Sequence, residues 1–438
     1  MSARTRLTFP INRQLYSLVM WLLSPLVLAR LLWRSRRHAG YRRNLLHRIG
    51  LYGTHNTVSP GARVWIHAVS VGETVAVAPL LERLLQQRPD LEVLVTSTTP
   101  TGVEQVRRQF GERVASDWAP IDTPQATRRF FAHWRPTIGV LIETEIWPNM
   151  IEQASLRGVP MLLLNARLSA RSARGYARLP GLIRQALQGL SGIAAQERAD
   201  GRRLRALGAN PDRLSTTGNL KFAVNVASLE QQNEIERAVL GSEIEGRPVW
   251  LAASTHPGEE EAIIRAFASL KAAVPTALLM LAPRHPERVP ALLAIPEIQG
   301  RTAALYSTQS PLRPETDLLL IDTLGHLGAL TGCADLVFVG GSLVPHGGHN
   351  PLEAAAWGLP IITGPHYVNF SGVYRALFRA GAARRVEESA LATTLVELLG
   401  SGGRNAELAR MGECAKAVQS AQHGVLDRQW AILQAHLP

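Results

Sequence analysis

WIHAVSVGETVAVAPLL, residues 65–81, is the stretch from which the fold can be read. WIHAV is a continuous apolar run of strand-forming residues, and TVAVAPLLERLLQQ after it has the length and composition of a helix. Between them a glycine precedes Glu73, the first acidic side chain of the chain, since residues 1–72 contain no Asp or Glu. A fully apolar strand feeding a helix is the opening unit of a parallel sheet covered on both faces. A carboxylate at that turn stands where such sheets receive ligands, outside the carboxyl ends of their strands.

The alternation continues along the chain. RVWIHAVS with a helix around 73–87 is followed by LEVLVTSTT with a helix from about 101, then TIGVLIETE with a helix from about 148. VPMLLLNARL with helix to about 190, then GLSGIAAQ and a last βα unit to about 208, close this half. The polar, weakly patterned stretch 222–247 reads as a linker. The pattern restarts with PVWLAAST and a helix from about 258, TALLMLAPR, DLLLID with a helix around 325–332, ADLVFVGGS with a helix around 351–357, and LPIITGP. The expected architecture is therefore α/β: two Rossmann-like, doubly wound parallel-sheet domains, residues 51–221 and 248–438, the second ending in helices. A ligand cleft is expected between the carboxyl ends of their strands.

Charge is distributed unevenly. The 438 residues carry a net charge of +12, yet ten arginines and no acid fall within residues 1–50, and the other 388 residues hold 37 basic against 35 acidic side chains. A nucleic-acid binder spreads its basic residues over a folded face with aromatics between them. Here they gather around LYSLVMWLLSPLVLARLLW, residues 15–33, followed by RSRRHAGYRR. That is a membrane signature, and residues 1–50 read as an anchor helix with a basic flank for anionic lipid. The segment approaches the ~20 residues that span a bilayer, although Pro25 and Arg30 interrupt it. It either spans or lies in the interface, with a helix packed on the body as the third reading. The heavier basic flank on its carboxyl side places the folded body in the cytoplasm. Two distant cysteines, Cys333 and Cys414, match no metal or redox spacing and fit a reducing compartment.

In the second half, VFVGGSLVPHGGHNPLEAAAWGLPIITGP (residues 337–365) runs from a strand through a Gly- and His-rich loop to Asn350-Pro351-Leu352-Glu353. Asn suits an N-cap, Pro the first helical position and Glu the third. Free N–H groups there, approached closely past glycines, form a phosphate site, and Glu353 can accept from a ribose diol. A capped helix without ligand explains Asn350 and Pro351 but not the two Gly-Gly pairs before them. Arg284 at a strand end can fork onto phosphate. Lys221 is one of only three lysines among 47 basic residues, so a compact point charge is wanted there. In the first half, GVLIETEIWPN places Glu143 and Glu145 at the end of a buried strand, two apart and so on one face. Glu73 then reads as a general base tuned by burial rather than only a first-turn acid serving the helix dipole. No metal is expected: there is no D-x-D element, and His346 and His349 lack zinc spacing. No cofactor is implied.

HAVSVGE, TPTG, ETEIWPN, NARLSARS, GNLKF, APRHPER and GGSLVPHGGHNPLEAA, in that order, together resemble the 3-deoxy-D-manno-octulosonic acid (Kdo) transferases of Gram-negative bacteria. The resemblance runs from the N-terminal segment to about residue 370. It implies a GT-B glycosyltransferase on the cytoplasmic face of the inner membrane, with CMP-Kdo as donor and the lipid A precursor, through a primary hydroxyl, as acceptor. It implies Glu73 as base, Glu143 and Lys221 as transition-state support, and CMP contacts at Pro283, Arg284, Leu324, Gly325, His326 and Asn350, Pro351, Leu352 and Glu353. The mechanism implied is single displacement with inversion. The chain departs from the family at DTLGHL, where many relatives carry a glutamate in place of His326. Two rivals share parts of this pattern: a UDP-sugar transferase of the same fold, distinguished by its donor, and a membrane-tethered nucleotide sensor, distinguished by indifference to loss of Glu73.

Overall fold

The computed structural model describes residues 13–36, 38–52, 61–223, 226–400, 406–422 and 424–438. The chain divides into two compact units, residues 1–223 with 424–438, and residues 224–423.

The first unit is built on seven strands: β1 (Arg63–His67), β2 (Glu92–Ser97), β3 (Ala115–Trp118), β4 (Ile138–Ile142), β5 (Met161–Ala166), β6 (Gly192–Ala195) and β7 (Leu214–Thr216). They pair in the order β3-β2-β1-β4-β5-β6-β7, and every pairing is parallel. Strand periodicity divides the core. Val64 and Ile66 join one cluster with Leu80, Leu81 and Leu84 of the helix Val71–Gln87, while Trp65 between them joins Phe130, Phe131 and Leu141 on the opposite face. The order reverses between β1 and β4, which is where a doubly wound sheet opens its ligand crevice.

The second unit repeats the plan with β8 (Val249–Thr255), β9 (Leu278–Pro283), β10 (Ala303–Leu305), β11 (Leu318–Leu320), β12 (Leu336–Val339), β13 (Ile361–Thr363) and β14 (Ala383–Arg385). The order is β10-β11-β9-β8-β12-β13-β14, again parallel throughout, with its reversal between β8 and β12. At that reversal the backbones come very close. A Cβ on Gly340 would stand 2.5 Å from the carbonyl oxygen of Ser254, which has φ +56.

Three expectations change. Residues 222–247 are not a bare linker: they contain the helix Val226–Leu240, which belongs to the second unit, with Leu240 and Asn233 buried in it. Nor does the C-terminal segment all belong to the second sheet. The last helix, Val425–Gln434, buries Trp430 and Leu433 in the core of the first unit. Residues 13–50 also belong to the first unit rather than standing apart. The N-terminal helix, Arg13–Arg34, is long and apolar enough to cross a membrane, and none of its residues is buried. Yet its first turn is tied down: Tyr16 donates to Asp122 at 2.9 Å, Ser17 to Asn149 at 2.8 Å, and Arg13 pairs with Glu152. At its other end Arg34 lies over the Tyr41 ring. Arg48 of the basic flank is internal, 4.1 Å from the Trp118 ring and donating to the Thr98 carbonyl, so it is not available to lipid.

Gly340→Ala is predicted to destabilise the second unit by about 1–3 kcal/mol, because the methyl meets backbone that cannot rotate away; the urea midpoint of that unit measures it.

Candidate functional site

In the first unit, β1 runs through His67 into the helix Val71–Gln87, which opens after Ser70. Glu73 is in its first turn and reaches back: Oε2 accepts from the backbone N–H of Val69 at 2.5 Å, while Ser70 Oγ lies 3.5 Å from Oε1. The carboxylate thus satisfies the N–H of Val69, the residue before the N-cap Ser70, whose own side chain makes no cap bond. Burial pushes the Glu73 carboxyl up to about 8; the Val69 hydrogen bond opposes the rise, Glu143 and Glu145 add to it, and Lys221 offsets part of it. Three carboxylates and one ammonium therefore share a field.

Glu143 and Glu145 do not share a strand face. β4 ends at Ile142, and Glu143 turns left-handed, φ +62, with its N–H on the Leu164 carbonyl and its carbonyl accepting from Arg167. That turn sends the two side chains to different partners. Glu143 Oε1 lies 3.3 Å from Lys221 Nζ. Glu145 Oε2 accepts from the Trp147 indole at 2.6 Å and stands 3.8 Å from His67 Nε2. His67 is fully buried with Nδ1 on Thr96, and its Nε2 has no hydrogen-bond partner among the described residues.

In the second unit the Gly-Gly-Ser turn after β12 is held by one carboxylate. Glu259, fully buried, accepts from the N–H groups of His256, Gly341, Ser342 and Leu343 at 2.7 to 2.9 Å. Beside it His256 stacks on His346 at 4.1 Å, and its Nε2 lies 2.8 Å from His349 Nε2, so one ring donates and the other accepts. Burial first, then neighbouring rings and Arg284, depress both His256 and His349 to about 4. Both are neutral acceptor–donor rings at neutral pH.

The expected nucleotide residues fall around this turn. Pro283 ends β9 and is buried, and half-buried Arg284 donates its backbone N–H to Thr255. Asn350 does not cap where expected: its Oδ1 accepts from Leu352 N–H at 3.1 Å, Pro351 takes the N-cap position, and the helix is only Leu352–Ala356. The first helical hydrogen bond runs from Ala355 to the Pro351 carbonyl at 3.1 Å, which makes Pro351 the N-cap. Glu353, whose carboxyl burial raises, lies against Gly328, 3.5 Å from where a Cβ would stand, and Trp357 donates to the Gly328 carbonyl. Segments 324–328 and 350–353 thus meet. Leu324 is 73% exposed and Gly325 has φ +92. His326 is held, though its side chain is 38% exposed: its Nδ1 lies 2.8 Å from Glu236 and 3.2 Å from the Tyr306 hydroxyl, which also donates to Glu236. Sequence reasoning missed Glu236, Glu259, His256 and Asn165. Glu236 lay in the presumed linker, and the carboxylate of Glu259 serves backbone, which no spacing reveals. Among the described residues no three His, Cys, Asp or Glu side chains group as a metal site.

Residues 43–224 match the family described as 3-deoxy-D-manno-octulosonic-acid transferase (kdotransferase). The chain is 36% identical over 429 residues to the 3-deoxy-D-manno-octulosonic acid transferase of Haemophilus influenzae, covering 97% of this chain and 99% of that one. It is 39% identical over 435 residues to the enzyme of that name from Bordetella pertussis, covering 97% and 99%. The chain belongs to the Kdo transferase family. It is a glycosyltransferase that transfers Kdo in lipopolysaccharide biosynthesis. MurG of Acinetobacter baumannii matches with a TM-score of 0.51 at 14% identity, covering 85% of this chain and 99% of that one, which shows a common fold alone. That fold is GT-B, two Rossmann-like units of parallel sheet, as the resemblance implied.

The raised Glu73 carboxyl has a thermodynamic sign. Its folded value, about 8, exceeds its ordinary 4.5, so the stability it contributes is present below 4.5 and is lost as pH rises through 8. Glu73→Gln is predicted to raise the unfolding free energy measured in urea at pH 9, by about 0.5–2 kcal/mol after allowance for partial exposure, and to leave it unchanged near pH 4.

Proposed function

We propose that this Kdo transferase uses CMP-Kdo as donor and the lipid A precursor as acceptor, with Glu73 as the general base of an inverting single displacement. The observation that carries this reading is the Glu73 carboxyl itself, lifted by burial to about 8 beside Glu143 and Lys221. A base poised near working pH takes a proton most effectively as the hydroxyl oxygen attacks. The acceptor oxygen bonds to the anomeric carbon of Kdo, the bond from that carbon to the CMP phosphate oxygen breaks, and the hydroxyl proton passes to Glu73. Lys221, oriented by Glu143, supports the negative charge that develops on the departing phosphate.

The nucleotide is assigned to the second unit. Arg284 meets phosphate charge there, with the neutral His256–His349 pair beside it. Glu353, a carboxyl kept from water, accepts from ribose hydroxyls. Gly325 and the backbone around Leu324 give close approach, and His326 presents Nε2 while Nδ1 is held by Glu236. Pro283, Asn350, Pro351 and Leu352 shape the same wall.

The N-terminal helix serves as the anchor at the cytoplasmic face of the inner membrane. Polar ties at its first turn and the Arg34–Tyr41 contact at its last hold both ends on one unit. That favours a helix embedded along the interface, with Trp21, Leu22, Leu26 and Trp33, each more than half exposed, turned to lipid and arginines on anionic headgroups.

Purified full-length protein with CMP-Kdo and the lipid A precursor is predicted to give a product heavier by whole Kdo residues. Glu73→Gln is predicted to lower kcat by about 10²–10⁴-fold with CMP binding intact. In the wild type kcat/KM rises with pH up to about 8, as Glu73 loses its proton, and the variant lacks that limb. Equal rates in the two proteins exclude Glu73 as base, and preference for a UDP-sugar excludes the donor.

A further inference from the structure

Lys221 reaches Glu143 from a stretch with little regular structure of its own. Gly218 has φ +94, and the only helical turn is the three residues Leu220–Phe222. Its position is set by side chains from far away in sequence. Asn165, near the end of β5 and left-handed at φ +52, accepts through Oδ1 from the backbone N–H of Leu220 at 2.9 Å. The backbone N–H of Asn165 donates in turn to Oε1 of Gln429 at 3.0 Å, and Nε2 of Gln429 donates to the Gly218 carbonyl at 3.2 Å. Arg428 beside it donates to the Thr217 carbonyl at 3.0 Å, and Gln196 holds the Asn165 carbonyl at 2.9 Å.

A closed ring results: Asn165 to Gln429, Gln429 to Gly218, two residues along the chain to Leu220, and back to Asn165. Gln429 is fully buried. Its two partners, one N–H and one carbonyl, fix which end of the amide is oxygen, and among residues of this length only an amide offers both an acceptor and a donor. A leucine or methionine would supply the apolar packing of the last helix equally well. The amide is what reaches across to the segment that carries Lys221.

We propose that Gln429 is a positioning residue: through its amide the last helix of the chain fixes the Gly218–Lys221 turn and thereby holds the Lys221 ammonium on Glu143 for the transfer step. This rests on the reading of Lys221 as a participating cation. The last 15 residues return to the first unit for a chemical reason as well as a packing one. Displacement of a charged group by about 1 Å costs as much as 10²-fold in rate while leaving the fold intact.

The test is a double-mutant cycle on the full-length protein, with kcat, KM for CMP-Kdo and the urea midpoint measured for Gln429→Met, Lys221→Met and the pair. The expected result is a kcat loss of about tenfold or more for Gln429→Met with KM changed less than about threefold, and a loss under about twofold when the same substitution is made on Lys221→Met. Where the methionine variant does not fold, Gln429→Glu takes its place; it keeps the acceptor for Asn165 and loses the donor for Gly218, and the same dependence on Lys221 is expected. Equal losses in both backgrounds, or full activity of folded Gln429→Met, overturn the proposal and leave Gln429 as fold support. An unchanged kcat in Lys221→Met overturns the reading of Lys221 itself, and is seen before the cycle is closed.

Discussion

A carboxyl group withdrawn from water beside two other carboxylates keeps its proton far longer than a free one, and the first unit is arranged around that fact. Glu73 stands just beyond β1, Glu143 and Glu145 just beyond β4, at the one place where the strand order reverses. Desolvation supplies most of the rise and the neighbouring acids the rest. Such a cluster is tolerable only with a counter-charge, and Lys221 provides it from the end of the unit's last strand. Coordination of base and counter-charge thus follows from topology: parallel strands bring their carboxyl ends to one edge, and the turns leaving that edge carry the polar residues.

Strain marks the carboxyl edge of each sheet. Among the described residues six non-glycine residues have positive φ, and three of them lie within a residue or so of a strand's carboxyl end: Glu143 and Asn165 at β4 and β5 in the first unit, and Ser254 at β8 in the second. β5 and β8 also slip register there. Each costs on the order of 1–3 kcal/mol and persists because neighbours over-determine it: Leu164 and Arg167 hold Glu143, Gln429 and Gln196 hold Asn165, and the close pass of Gly340 confines Ser254. In the second unit Glu259 plays the part of scaffold, spending its carboxylate on four backbone N–H groups so that the glycine turn stays open.

The βα alternation was legible because both faces of these sheets are covered, so central strands read as unbroken apolar runs. The strands β3, β7, β10 and β14 were not, since three or four half-exposed residues at a sheet edge carry little pattern. Glu73 and Lys221 stood out by rarity, one the first acid and the other one of three lysines. What holds them did not. The Gln429–Asn165 contact spans 264 positions, and nothing local to either residue records it. The helix Val226–Leu240 looked like a linker because its apolar face is narrow, yet it delivers Glu236 to His326. His326 therefore meets a carboxylate supplied from another element of the same unit.

Glu73 holds its proton near neutrality because of where the fold puts it. Infrared difference spectra between wild type and Glu73→Gln, recorded across pH, isolate the carboxyl band of that one residue. Half-protonation near pH 8 is the predicted result. A band that titrates near 4.5, the ordinary value for a glutamate, would contradict the account, since Glu73 would then be an exposed cap and not a poised base.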